Sequence, residues 1–184
     1  MKKIILILAV MLVALLTIGL LYNQVPTEEE IYTVTMKNNA GEDIGTIQLT
    51  ETNAGVMLNL QLTGLTPNGL QAFHVHETAD CSPLESFTNA GGHYNPEHKA
   101  HGMEHPEGQH AGDMPNLSPN EEGVLNANIL NMHVTLLDNT QDGHRFTLFD
   151  ADGSSLVIHA GADDHMSQPS GAAGARIACG EIKK

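Results

Sequence analysis

The chain has 184 residues, enough for one domain of ordinary size with an appendage and too few for two large ones. Eight Lys plus Arg stand against 22 Asp plus Glu, a net charge of −14, and Lys2 and Lys3 precede the first apolar run, so the remainder carries only six basic residues. Such a balance excludes nucleic-acid phosphates and acidic membrane faces as partners. Eleven His, no Trp, 4% aromatic residues and 18 Gly point instead to metal binding on a turn-rich β protein.

Ile4 to Leu21 is uncharged throughout and comes directly after Lys2 and Lys3. As a helix it would be about 27 Å long, close to the hydrocarbon thickness of a bilayer. Residues 1–21 therefore read as a signal peptide or an N-terminal membrane anchor, and either one exports the rest of the chain. The length of the run and the lack of a small-x-small cleavage site before Tyr22 favour the anchor. Residues 22–30, with Pro26 and Glu28-Glu29-Glu30, read as a polar linker, and 31–184 as the folded domain.

From Ile31 to Leu62 the pattern has period two: Val56, Leu58, Leu60 and Leu62 alternate with Met57, Asn59, Gln61 and Thr63, as in half-buried strand. The separators Asn38-Asn39-Ala40-Gly41, Thr52-Asn53-Ala54-Gly55 and Thr66-Pro67-Asn68-Gly69 are turn chemistry, spaced for successive short antiparallel strands. Leu70 to His76 reads as a further strand, as do Val124–Leu130, His133–Leu137, Arg145–Phe149 and Ser155–His159. With no convincing amphipathic helix after residue 30, an all-β sandwich or Greek-key barrel is expected.

Two irregular stretches interrupt the strands. The first, from Glu77 to Asn120, is rich in Gly, Pro and His, and a loop of that length needs something to order it. The second runs from Gly161 to Gly174. Cys81 and Cys179 are an even pair in an exported chain, which reads as a disulfide, with two buried thiols as the alternative.

The histidines carry the chemistry. His74 and His76 lie two apart on one strand, so their imidazoles share a face. Within the first irregular stretch, His93, His98, His101, His105 and His110 are succeeded at once by Asp113. Core packing does not explain five imidazoles so close together, whereas a metal site does. His159 closes an apolar strand, a place where a hydrogen-bonded core histidine is the ordinary reading.

The motifs AFHVHE (72–77), Cys81, NAGGHYNP (89–96), HAGD (110–113), LVIHAGADD (156–164) and GARIACG (174–180) occur in this order, and through them the chain resembles the copper-zinc superoxide dismutases from about Ile31 to Ile182. The resemblance implies an eight-stranded Greek-key β-barrel or sandwich with long metal-binding and electrostatic loops, and one copper and one zinc per subunit. It implies copper on His74, His76, His93 and His159, and zinc on His93, His101, His110 and Asp113, with His93 shared. An all-imidazole set suits a redox copper, and three His with a carboxylate suit a closed zinc site. It further implies that Asp163 hydrogen-bonds one imidazole of each set, that Arg176 guides the anionic substrate, that Cys81 and Cys179 form the disulfide, and that His93 takes part in proton transfer.

The expected activity is conversion of superoxide to O2 and hydrogen peroxide outside the cytoplasm, at a bacterial cell envelope, in the periplasm or on the extracellular face. The competing readings are a non-enzymatic copper and zinc binder, serving as copper buffer or donor on the same fold, and an exported β domain with structural zinc. Some features depart from the family. Ala72 and Ala79 stand where its members usually or often carry Gly, and Asp142 to Gly153 is longer than in the eukaryotic branch. That branch's dimer surface is therefore not carried over, and a homodimer is left open, as is a copper donor protein. His133 and His144 read as solvated, while His98 and His105 with Met103, and His165 with Met166, offer donors for a weak secondary copper-loading site.

Overall fold

The computed structural model describes residues 30–138 and 145–184. The expected signal or anchor at 1–21, the linker up to its last residue, and His144 lie outside the described residues.

Alternation in the sequence becomes alternation of burial. In β1 (Ile31–Asn38), β2 (Asp43–Thr52) and β3 (Gly55–Leu62), the side chains of Val34, Met36, Ile47, Leu49, Leu58 and Leu60 are buried between exposed or half-exposed neighbours. The turns close as their residues suggest: Asn38 Oδ1 accepts the amides of Ala40 and Glu42, and Thr52 Oγ1 accepts that of Ala54 while donating to Gly55 O. Six further strands complete the domain: β4 (Phe73–His76), β5 (Leu125–Asn131), β6 (Val134–Thr135), β7 (Phe146–Thr147), β8 (Ser154–His159) and β9 (Arg176–Ile182).

Seven strands form one sheet in the order β4-β8-β9-β1-β2-β3-β5, antiparallel throughout. After β3 the chain crosses to the far edge to make β4 beside β8, then returns to make β5 beside β3, which is a Greek-key connection. Val75 and Leu156 from one end of the sheet and Leu60 and Leu125 from the other belong to one core, so the sheet curls over on itself. The β6–β7 pair, parallel and two residues long, supplies the remaining side next to β3. These two strands are shorter than the runs at 133–137 and 145–149. The Glu51 carboxylate takes the Leu136 amide, the Thr135 hydroxyl and the Arg145 guanidinium, replacing ladder bonds with side-chain ones.

The 77–124 loop is not structureless, because part of it runs back along the open edge of β4. Tyr94 N donates to Val75 O, Val75 N to Gly112 O, Glu77 N to Gly92 O, and Gln71 and Leu117 exchange both bonds, all at 2.8–3.0 Å. Gly112 is required there, since a Cβ would sit 2.3 Å from Val75 O. The Cys81–Cys179 disulfide, with Cα atoms 5.5 Å apart, ties the start of this loop to β9 beside Phe87, Ala90 and Val157.

Candidate metal centre

Phe73 and Val75 point into the barrel core, so strand alternation turns His74 and His76 to its outer face, where the returning loop covers them. Backbone bridges set His93 opposite His76 and Asp113 opposite His74. His159 comes after core-facing Ile158 at the end of the neighbouring strand β8 and joins the same face. His101 and His110 come from the loop between. All eight of His74, His76, His93, His101, His110, Asp113, His159 and Asp163 are at most 8% exposed.

The donors fall into two sets whose atoms lie within 4.8 Å of one another: His74, His76, His93 and His159, and then His93, His101, His110 and Asp113. A third group, His74, His101 and Asp163, links them. Hydrogen bonds on the outer side of each ring decide which nitrogen faces inward. His76 Nδ1 donates to Gly91 O at 3.0 Å and His159 Nδ1 to Gly174 O at 3.1 Å, leaving two Nε2 lone pairs 3.4 Å apart. His74 Nε2 donates to Asp163 Oδ2 at 2.7 Å, which leaves Nδ1 as the inward lone pair. His101 Nε2 donates to Asp163 Oδ1 at 3.0 Å, which turns Nδ1 inward toward Asp113.

Those inward atoms suit a cation. His74 Nδ1 and His93 Nε2 are buried without a hydrogen-bond partner, an arrangement that proteins seldom tolerate unless an ion completes it. The Nδ1 atoms of His93, His101 and His110 all lie 3.0–3.2 Å from the single oxygen Asp113 Oδ1. Four ligands at about 2.0 Å from a tetrahedral zinc are about 3.3 Å from each other, so these separations are those of ligand edges.

Burial is the largest influence on the imidazoles. It pushes His74 down to about 3 and His159 to about 4, against opposing hydrogen bonds from Asp163 and Gly174 O, and also lowers His76 and His93. These rings are neutral at pH 7 and their lone pairs are available. Burial also works on His101, but hydrogen bonds and charge from Asp113 and Asp163 override it and raise the ring to about 9. Burial would raise both carboxylates as well; their imidazole partners win and hold Asp113 and Asp163 well below the usual carboxylate range.

Arg176, the first residue of β9, faces this centre. Its guanidinium donates to Phe87 O and Gly91 O, each at 2.5 Å, and to Thr88 O at 3.2 Å. Gly91 O thus receives both Arg176 and His76, joining the cation to the imidazole set. The positive charge of Arg176 further lowers His76 and His159.

Every residue expected at the two metal sets is gathered here. His98 is exposed, while His105, His133 and His165 are partly exposed; none of the four belongs to a described group of three or more His, Cys, Asp or Glu donors. Met103 and Met166 are each 44% exposed. Gly91 stands within NAGGHYNP, but only the fold shows that its carbonyl is the functional part, and sequence patterning held no sign of Asn116 and Gln168, whose amides grip Asp163 and His101.

A Greek-key barrel carrying an all-imidazole set and a three-His, one-carboxylate set that share one ring defines a binuclear, two-metal class of protein. The family described as copper/zinc superoxide dismutase matches residues 44–182, and the chain belongs to it. It is 48% identical over 146 residues to Superoxide dismutase [Cu-Zn] 2 of Aquifex aeolicus (79% of this chain, 82% of that protein), and 43% identical over 152 residues to Superoxide dismutase [Cu-Zn] of Caulobacter vibrioides (82% and 84%). The crystal structure of a SOD-like protein from Bacillus subtilis superposes with a TM-score of 0.77 at 33% identity, covering 83% of this chain and 99% of that one.

Proposed function

We propose that this protein dismutates superoxide, converting two superoxide anions and two protons to O2 and hydrogen peroxide with one copper and one zinc per subunit. The observation that carries the reading is the set of inward lone pairs. His74 Nδ1, His76 Nε2, His93 Nε2 and His159 Nε2 are assigned to copper, and His93 Nδ1, His101 Nδ1, His110 Nδ1 and Asp113 Oδ1 to zinc, with the outer atom of His74, His76, His101 and His159 committed to a carboxylate or carbonyl. The four imidazoles would hold copper, which when bound would supply a one-electron couple for superoxide, and the three imidazoles with Asp113 would hold zinc, which would neutralise that carboxylate.

The chain's own residues do the rest. Arg176, clamped by Phe87 O and Gly91 O, holds a positive charge beside His76 and His159 and draws the anion to that side. His93 Nε2, buried without a hydrogen-bond partner, is the atom at which the chain could hold a proton for the peroxide product when copper does not occupy it. Asp163 keeps His74 and His101 in the tautomers that present Nδ1 inward.

The Cys81–Cys179 disulfide supports an exported setting. In our reading residues 1–21 are a signal peptide or anchor and 22–30 a linker to the 31–184 domain. A homodimer and a copper donor protein belong to the same reading, tested by sedimentation mass and by copper content with and without added copper.

The deciding experiment loads the full chain with zinc and then one equivalent of copper, and monitors superoxide loss. Copper-dependent activity that is abolished in His159→Ala establishes the enzyme. Stoichiometric copper without turnover would overturn it in favour of copper storage.

A further inference from the structure

Two side-chain amides stand outside both donor sets and grip the backbone of residues that serve them. Asn116, in the loop that carries the zinc set, accepts the Asp163 amide at Oδ1 and donates from Nδ2 to Asp163 O, both at 2.8 Å. Gln168, in the 160–175 loop, accepts the His101 amide at Oε1 and donates from Nε2 to His101 O, both at 2.9 Å. The arrangement is reciprocal: each loop contributes one amide that holds both backbone polar groups of one residue on the other loop. The gripped residues, His101 and Asp163, are themselves bonded at 3.0 Å.

Neighbouring contacts leave that pair little freedom. Gly171 packs directly over it, since a Cβ there would be 1.8 Å from Asp163 Oδ1 and 2.7 Å from His101 Nε2. Gln168 Nε2 also donates to Met166 O at 2.9 Å, which fixes the turn it stands on. The amide of His165 adds a bond to Asp163 Oδ1 at 2.7 Å.

We propose that Gln168 and Asn116 are positioning residues that lock His101 and Asp163 together from opposite loops, so that filling the zinc set orders the 160–175 loop leading to Arg176. The proposal rests on the assignment of His101 to zinc. A ligand whose backbone is pinned on two sides loses less conformational freedom when the ion arrives, and the saving appears as metal affinity. Neither residue touches the ion, so the effect is on affinity and on loop order rather than on chemistry.

The test uses the full chain, metal-free, with zinc alone as the probe. Zinc affinity is measured by competition with a chromophoric chelator, and amide hydrogen exchange is monitored across residues 98–113 and 161–171. In the unmodified chain, zinc should slow exchange in both segments. In Gln168→Ala, zinc affinity should fall about tenfold, the low end of what outer-sphere residues contribute. Exchange should still slow at 98–113 but no longer at 161–171, a separation that general destabilisation does not produce. Gln168→Glu keeps the acceptor for the His101 amide but sets a carboxylate oxygen against His101 O and Met166 O, and should lose at least as much as Gln168→Ala. The Asn116→Ala and Gln168→Ala losses should combine less than additively. Unchanged affinity and unchanged loop protection in Gln168→Ala, with His101→Ala abolishing zinc binding, would overturn the clamp and leave the ligand assignment standing. If His101→Ala also kept full zinc affinity, the assignment itself would fail.

Discussion

Asparagine at position 163 keeps the size of the side chain and removes its charge. Asp163 now receives His74 Nε2 at 2.7 Å and His101 Nε2 at 3.0 Å on separate oxygens. An amide has one acceptor oxygen, so one imidazole must face an NH2 group and move its proton to the other nitrogen. His101 has somewhere to put it, because its Nδ1 lies 3.0 Å from Asp113 Oδ1. His74 does not, because its Nδ1 is buried without a partner. The amide oxygen therefore goes to His74, the NH2 group at the other position also loses the bond from the His165 amide, and His101 adopts the tautomer that donates to Asp113 and withdraws its lone pair from the zinc set. Residues that orient a ligand contribute tenfold to hundredfold in metal affinity, about 1.4–2.7 kcal/mol. We expect Asp163→Asn to lose that much zinc affinity and less copper affinity, measured by chelator competition on the metal-free full chain, with the His101 tautomer read from nitrogen chemical shifts. Zinc affinity within threefold of the parent, or a larger loss of copper than of zinc, would refute the tautomer argument.

Arg176→Ala should retain copper and zinc and lower kcat/KM for superoxide about tenfold, the low end of electrostatic steering; equal rates at matched metal content would remove the residue from the mechanism. Replacing both Cys81 and Cys179 by Ala opens a bridge across 98 residues and should cost roughly 4–5 kcal/mol in denaturant unfolding; a loss under 1 kcal/mol would show that the buried packing around Phe87 holds the loop unaided. For the metal-free protein, His74 and His159 titrate at about 3 and 4 when folded, below the ordinary 6.5 of the unfolded chain. Between about pH 6.5 and 4 the unfolded state therefore binds protons that the folded state refuses, and stability falls with pH at up to about 1.4 kcal/mol per unit for each ring. His101, raised to about 9, acts oppositely: its contribution is complete below 6.5 and is lost as pH rises through 9. Thermal unfolding of the metal-free chain from pH 4 to 10 should show both flanks, and a flat acid side would contradict the burial of His74 and His159.

The strand pattern was legible because burial has the period of the backbone: Leu58, Leu60 and Leu62 fill the core that their spacing implies. His74 and His76 were legible for the same reason, two residues apart on one face. His159 was not informative alone, and only its place in LVIHAGADD tied it to the others. Other features depended on contacts that local sequence does not encode. The strands at β6 and β7 shrank because Glu51, more than eighty residues earlier, takes their hydrogen bonds. The apparent disorder of 77–120 disappeared because the open edge of β4 offers unpaired amides and carbonyls. Asn116 and Gln168 reach residues 47 and 67 positions away, and an amide that grips backbone carries no pattern by which to find it.

A net charge of −14 and an anionic substrate pull in opposite directions, and their different ranges decide the outcome. The acidic residues are spread over the surface, so their repulsion is felt at long range. The attraction comes from Arg176 and would be strengthened by the metal cations that the two donor sets would hold, which outweigh the buried Asp113 and Asp163, all within one centre, so it acts at short range. At about 0.01 M salt the screening length is about 30 Å and both fields reach the approaching anion; at 0.1 M it is about 10 Å and only the centre does. Moderate salt should therefore remove repulsion before it removes attraction. We expect kcat/KM for superoxide to rise between about 0.01 and 0.1 M salt and to fall toward 1 M, where the screening length is about 3 Å. Arg176→Ala should keep the rise and lose much of the fall. A monotonic decrease from the lowest salt in the parent protein would mean that the local field already dominates at every distance, and that the surface acids play no part in substrate approach.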